Sequence, residues 1–182
     1  MGRIRIIGGI YRSRILKFND AILGIRPTPD RVRETVFNWL EQDLTGLTCL
    51  DLFAGSGALG FEAASRGAKK VVLNEREHKA LIDLNKNKTL LGADNVIISG
   101  LSAEAYLKNC AEKFDVIFLD PPYASDLLDK SLRQIKGLSI LTKHAKIYIE
   151  YQQEPDLTGY EILKHKKAGA VNFALIYSVE RD

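Results

Sequence analysis

A chain of 182 residues, 46% hydrophobic and 27% charged, has the make-up of an ordinary globular domain and enough length to bury a core without staples. Its net charge of +3 is uneven, because residues 1–33 hold eight Arg or Lys against two Asp, a local +6 that leaves −3 for the remainder. No apolar run approaches the roughly 20 residues of a membrane span, and Met1-Gly2-Arg3-Ile4-Arg5 leads into no signal-peptide core. Cys49 and Cys110 lie far apart, as do His78, His144 and His165, so reduced thiols, no metal site and a cytoplasmic location are expected.

Residues 3–18 read as a basic hairpin. Arg3-Ile4-Arg5-Ile6 alternates polar and apolar, Gly8-Gly9 offers a turn or bulge, and Ile10–Leu16 reads as the partner strand. Arg12 and Arg14, two apart, would then share one face of it. Ile25–Pro29 follows as an extended linker. Thr28 is the expected N-cap of a helix opened by Pro29 and Asp30 and running to about Leu44, with Val32, Val36, Phe37, Trp39 and Leu40 on its inner side.

From residue 46 the pattern alternates. Strands are expected at Thr48–Phe53, Lys70–Glu75, Asn95–Gly100, Phe114–Asp120 and Lys146–Tyr151, with helices near 57–66, 77–91, 102–112 and 126–136. Such alternation builds βαβ units with right-handed crossovers, hence an α/β fold with a parallel sheet covered on both faces. Tyr160–Lys167 and Val171–Glu180 are separated only by Ala168-Gly169-Ala170, too short for a helix. They form an antiparallel pair, so the sheet is expected to end in a reversed strand.

Two motifs fall at strand ends. Asp51-Leu52-Phe53-Ala54-Gly55-Ser56-Gly57-Ala58-Leu59-Gly60 sits where the first parallel strand meets its helix, and Gly55, Gly57 and Gly60 have the G-x-G-x-x-G spacing. Alone that spacing is weak evidence. Glu75, ending the next strand 24 positions after Asp51, adds an acceptor for both hydroxyls of a ribose. Dinucleotides and S-adenosylmethionine both contain that ribose. Asp51 leans toward the second, since a carboxylate near the loop repels a pyrophosphate and attracts the ammonium of a methionine moiety. The other motif is Asp120-Pro121-Pro122-Tyr123, after the apolar run Phe114–Leu119. The prolines end the strand, leaving a carboxylate, stiff carbonyls and an aromatic face together. That set suits gripping a heterocycle by its exocyclic amine.

Asp51–Gly57 resembles the cofactor motif of class I S-adenosylmethionine-dependent methyltransferases, and Asp120–Tyr123 resembles the (Asn/Asp)-Pro-Pro-(Tyr/Phe) motif of those that methylate exocyclic amines. Arg5–Gly9, Arg26-Pro27-Thr28, Asp30–Leu40 and Asp51–Gly60 are further similar to the bacterial 16S rRNA guanine-N2 methyltransferases of the RsmD type. The resemblance implies one Rossmann-like methyltransferase domain over 1–182, with 1–27 a basic extension and 28–182 the core. It implies that Asp51, Phe53, Gly55, Gly57, Glu75 and Asp120 hold S-adenosylmethionine, and that Asp120, Pro121, Pro122 and Tyr123 grip the base. Many class I enzymes place an aspartate after the third strand for the adenine amine. This chain has Gly100-Leu101-Ser102-Ala103 there, so Ser102 and the Ala103 backbone are the expected substitutes. Arg3, Arg5, Arg12, Arg14, Arg31 and Arg33 are the candidate RNA contacts, although Arg31 and Arg33 can instead pair with carboxylates or hold the cofactor carboxylate. The implied partner is 16S rRNA or a small-subunit assembly intermediate, the implied state a monomer.

The Asp-Pro-Pro-Tyr motif alone allows adenine as well as guanine. An adenine-N6 methyltransferase, a nicotinamide-dependent oxidoreductase and a non-catalytic RNA-binding protein are the rival readings.

Overall fold

A computed structural model describes residues 1–22 and 26–179. Ile25, the first residue of the expected linker, and Glu180, the expected end of the last strand, lie outside the described residues.

Seven strands make the central sheet: β3 (Thr48–Asp51), β4 (Lys70–Asn74), β5 (Val96–Ser99), β6 (Phe114–Leu119), β7 (Leu141–Tyr151), β8 (Tyr160–Ala168) and β9 (Val171–Ser178). Their order is β5-β4-β3-β6-β7-β9-β8. The first five are parallel, and β9 runs antiparallel to both its neighbours. The C-terminal strand is thus reversed as expected, but it sits one place in from the edge, with β8 outside it. The tight turn at Gly169, with φ of +61°, lets β9 fold back between β7 and β8.

The strands carry apolar runs because both faces are covered. Cys49, Val71, Val116 and Phe118 feed one core cluster with α1 (Asp30–Trp39), α2 (Ala58–Ser65) and α3 (His78–Leu91). Leu50, Val72, Ile117 and Leu119 point the other way, into a cluster with Leu107 of α4 (Ala103–Lys108) and Leu128, Leu132 and Ile135 of α5 (Leu127–Lys136). Successive side chains of one strand alternate between the two clusters.

The N-terminal hairpin differs in detail from expectation. β1 (Gly2–Arg5) pairs with β2 (Ile15–Phe18), which shares only Ile15 and Leu16 with the expected partner Ile10–Leu16. Residues 7–13 form a turn-rich loop, with Gly9 and Ser13 at φ of +77° and +68°. This loop finds its partners on α2 instead of on a strand. Glu62 accepts the amides of Ile7 and Gly8 at 3.0 and 2.9 Å, and Ser65 Oγ accepts that of Tyr11 at 2.9 Å. Arg12 and Arg14 therefore share no strand face. Strand β2 is strapped to α3 by Asn87, which accepts from Lys17 N and donates to Lys17 O.

Helix α1 ends at Trp39, short of Leu44, because Glu41 and Gln42 take positive φ of 66° and 63°. Pro29 occupies the cap position with no side-chain cap, so Thr28 is not the N-cap. Its hydroxyl is used elsewhere, as described next.

Candidate active site

The carboxyl ends of the parallel strands surround a cavity of about 350 Å³. Loop ends gather at such a rim because each strand leaves the sheet there to begin its crossover. Asp51, Phe53, Gly55, Glu75, Ser102, Ala103, Asp120 and Pro122 all line it, so most of the residues singled out by sequence converge. Gly57, Pro121 and Tyr123 do not line it.

The glycines divide the labour. Gly55, at φ of +54°, has open space where a Cβ would stand, facing the ligand side. A Cβ on Gly57, at φ of +83°, would lie 2.5 Å from Phe61 and 2.8 Å from Leu84. On Gly60 it would lie 1.9 Å from Leu73. Gly57 and Gly60 thus permit helix α2 to pack; of the three, only Gly55 lines the cavity.

Asp51 is 1% exposed, and its Oδ2 accepts the Gly60 amide at 3.1 Å. Its Oδ1 has no partner among the described residues. A buried carboxyl oxygen left bare costs free energy unless a ligand completes it. Burial first, and then the charge of Glu75, push this carboxyl from its usual 3.8 up to about 7, against the Gly60 amide. Glu75 is pre-organised. Its Oε2 accepts from Gly55 N at 2.9 Å and its Oε1 from Glu77 N at 3.0 Å. Ser102 caps α4 by accepting from Ala105 N at 3.2 Å.

Several functional residues escaped the sequence reading. Asn74, 1% exposed, donates to Leu52 O and Leu101 O and accepts from Leu101 N, tying the loops after β3 and β5 together. Its signal was a polar residue ending a strand of Val and Leu. Glu150, 5% exposed, stands in Ile147-Tyr148-Ile149-Glu150-Tyr151, a charge inside an apolar strand. It accepts hydroxyls from Thr28 at 3.1 Å, Tyr123 at 2.9 Å and Tyr148 at 2.6 Å. Thr28 Oγ1 also lies 3.4 Å from Asp120 Oδ2. Burial first, then the charge of Glu150, raise the Asp120 carboxyl well above the carboxylate range.

The expected base-gripping motif is therefore split by position. Asp120 and Pro122 face the cavity, Pro121 is buried, and Tyr123 is exposed with its hydroxyl on Glu150.

Of the six candidate RNA contacts, Arg3, Arg5, Arg12, Arg14 and Arg31 are exposed. Arg3 and Arg5 line a groove shared with Pro27 and Thr28, which also border the cavity. Arg14 spends one N–H on Leu90 O at 2.8 Å. Arg33 is corrected: it is 0% exposed, with Nη1 3.2 Å from Glu62 Oε2, Nε donating to Thr28 O and Nη2 on Asp30. A fully buried guanidinium engaged on all sides reaches no phosphate. Among the described residues no group of three or more His, Cys, Asp or Glu is arranged to hold a metal ion, and no helix is long and apolar enough to cross a membrane.

Comparison with known proteins gives concordant matches. The family model described as conserved hypothetical protein 95 matches residues 4–177. The ribosomal RNA small subunit methyltransferase D of Escherichia coli K12 is 39% identical over 178 residues, covering 96% of this chain and 89% of that protein. Its counterpart in Haemophilus influenzae is 38% identical over 181 residues, covering 96% and 93%. A solved structure of the Escherichia coli protein yhhF superposes with a TM-score of 0.89 at 38% identity, covering 99% of this chain and 100% of that one.

Proposed function

The chain belongs to the family described as conserved hypothetical protein 95 and matches the methyltransferase D proteins over nearly its whole length, and on that premise we propose that it is an S-adenosylmethionine-dependent methyltransferase acting on the exocyclic N2 of a guanine in 16S rRNA. The observation that carries the cofactor reading is Asp51 Oδ1, a buried carboxyl oxygen without a partner among the described residues, at the wall of a cavity that also holds Glu75 and Asp120. An ammonium there completes the hydrogen bonding of Asp51 and removes the cost of its charge. Glu75, held by two backbone amides, has lone pairs left for two ribose hydroxyls. Phe53 and Leu101 supply apolar walls for the adenine, with Ser102 and the Ala103 amide, at the start of α4, facing its polar edge.

S-adenosylmethionine bound in this way supplies a methyl group activated by a sulfonium. The protein's task is then largely positioning. Asp120 Oδ and the carbonyl of Pro121 or Pro122 accept the two hydrogens of the guanine amine, aiming its lone pair out of the ring plane. Positive charge that grows on nitrogen faces the Asp120 carboxyl, which stabilises it and takes up a proton from the product. Tyr123, exposed beside Pro122, offers its ring to the extruded base, a contact of about 1–3 kcal/mol. Arg3 and Arg5, in the groove beside Pro27 and Thr28, lead phosphates toward the cavity, with Arg12, Arg14 and Arg31 extending the basic face. The protein works as a monomer in the cytoplasm, on 16S rRNA or a small-subunit assembly intermediate.

The test is a nucleoside digest of 16S rRNA, read by mass spectrometry, from cells with and without the gene. One N2-methylguanine disappears on deletion and returns on incubation of the unmodified particle with protein and methyl donor. If every N2-methylguanine persists, the substrate assignment is wrong. Preferential labelling of purified DNA would point instead to adenine N6.

A further inference from the structure

Thr28 Oγ1 lies between two carboxyl groups, 3.1 Å from Glu150 Oε1 and 3.4 Å from Asp120 Oδ2. A hydroxyl has one hydrogen and can donate to only one of them. Glu150 claims it. That carboxylate also receives the hydroxyls of Tyr148 and Tyr123, neither of which donates to another acceptor among the described residues, so three O–H donors converge on a group 5% exposed. Three hydroxyl donors aimed at it make Glu150 the hydrogen-bond acceptor of the pair. The remaining contact, between Thr28 Oγ1 and Asp120, is then satisfied when Asp120 itself carries a proton and donates it to the hydroxyl oxygen.

We propose that Glu150 is a positioning residue for Asp120 and the proton store of the site, linked to it through the Thr28 hydroxyl. Without positive charge in the cavity, the pair holds one proton on Asp120, giving the chain Asp120 O–H to Thr28 Oγ–H to Glu150 carboxylate. When a cation faces Asp120, the proton moves along that chain. The Asp120 O–H bond breaks as one forms on Thr28 Oγ, and the former Thr28 O–H breaks as one forms on Glu150 Oε1. The net charge of the pair is unchanged, and Asp120 becomes the ionised member at the moment a charged donor or a developing ammonium needs it. Afterwards Asp120 takes the proton released by the methylated amine, and the proton held on Glu150 leaves to solvent as product departs, which restores the one-proton pair. The role in turnover rests on the methyltransferase reading above; the shared proton does not. The groups that face the pair are Asp51 from β3, Tyr148 from β7, Tyr123 and Pro122 from the loop after β6, and Arg26 and Thr28 from the segment before α1. The upward push that Glu150 exerts on the Asp120 carboxyl, second only to burial, agrees in direction.

The experiment is a pH titration of the side-chain carboxyl carbons by ¹³C NMR, with the Asp120 signal identified by its loss in Asp120→Asn. In the wild type Asp120 titrates well above the ordinary carboxylate range. In Glu150→Gln its midpoint falls by more than one pH unit. Tyr148→Phe, which keeps the shape of the core and removes one donor from Glu150, also lowers it by drawing the proton toward Glu150. With rRNA as substrate, the acid limb of the kcat profile moves to lower pH in Glu150→Gln, because Asp120 stays ionised there without a charged neighbour. An Asp120 midpoint near 4 in the wild type, or one unmoved in both variants, overturns the shared proton. A kcat lowered equally at every pH, with the limb in place, overturns the role in turnover. Shifted midpoints in a protein that methylates no rRNA uphold the proton pair and refute the substrate instead.

Discussion

Asp51→Asn separates the cost of the site from its use. In the free protein Asp51 is buried with one oxygen bare, and its carboxyl is pushed from 3.8 up to about 7. A group whose folded value is raised contributes its stability fully below the unfolded value and loses it as pH climbs toward the folded one. Between pH 4 and about pH 7 the unfolded chain ionises at this position while the folded chain resists. The differential is on the order of 4 kcal/mol as an upper bound, and water entry or relaxation of the loop lowers it. Asparagine keeps an oxygen for the Gly60 amide and never ionises. Urea unfolding at pH 3.5 and pH 8 is therefore expected to give nearly equal stabilities for variant and wild type at the lower pH. At pH 8 the variant should be more stable by roughly 1–3 kcal/mol, or about 2–4 °C in Tm per kcal/mol. Affinity moves the other way. Losing a charge-assisted hydrogen bond to the ligand ammonium costs about 1.5–3 kcal/mol, a roughly 10- to 150-fold weaker Kd for S-adenosylhomocysteine in calorimetry. A stability difference that is the same at both pH values, or an unchanged Kd, would refute the assignment of Asp51.

Other perturbations probe the surrounding design. Glu75→Ala removes the proposed ribose acceptor and frees the amides of Gly55 and Glu77, so the Kd for S-adenosylhomocysteine should rise by about 10- to 100-fold; a change under threefold in calorimetry would count against the role. Gly57→Ala should cost about 2 kcal/mol or more in urea unfolding because its Cβ meets Phe61 and Leu84, while Gly55→Ala costs about 1 kcal/mol and weakens ligand binding more; the reverse order would contradict the division of labour in the loop. Glu62→Ala removes the one fully buried carboxylate paired with Arg33, leaving it the half-exposed Asp30, and unties Ile7 and Gly8, so a loss of about 3–5 kcal/mol is expected by denaturation, and a loss under 1 kcal/mol would mean that the N-terminal loop is held by something else. Arg12→Glu with Arg14→Glu should weaken RNA binding and reduce its salt slope, measured by filter binding from 50 to 200 mM salt; unchanged affinity removes that loop from the RNA path.

Legibility in the sequence followed the range of the interactions. Asp51, Gly55, Glu75 and Asp120 each end or follow a parallel strand, so their neighbours in the chain announce them, and the topology then brings the strand ends together. The alternation of strands and helices was readable for the same reason. Misreadings arose where a local preference met a distant competitor. Thr28 has the side chain of an N-cap, yet its hydroxyl is engaged by Glu150, 122 positions away, and by Asp120, 92 positions away. Arg33 sits in a basic segment, and charge counting placed it with the RNA contacts; the decisive partner is Glu62, 29 positions on and inside a helix of alanines. The stretch 10–14 belongs to the expected partner strand, but Ser65 of α2 accepts the amides of Ile10 and Tyr11 through its carbonyl and its hydroxyl, and a loop forms instead. The place of β9, inside the edge, was likewise settled by sheet pairing that no local pattern encodes.

The strand ends of this sheet collect Asp51, Glu75, Asp120 and Glu150, an expensive concentration of negative charge for a protein whose arm is basic. Burial and neighbouring carboxyls push two of these, Asp51 and Asp120, above their ordinary range, and a cation entering the cavity relieves both at once. The same feature gives discrimination. A sulfonium or ammonium donor relieves the repulsion, whereas a neutral thioether of equal shape fills the cavity without doing so. The Asp120 carboxyl carbon should therefore move toward its ionised position on binding sinefungin and stay in place on binding S-adenosylhomocysteine, as ¹³C NMR at constant pH measures. An equal response to the two ligands would mean that the carboxyls near the methyl position do not sense the charge of what binds there.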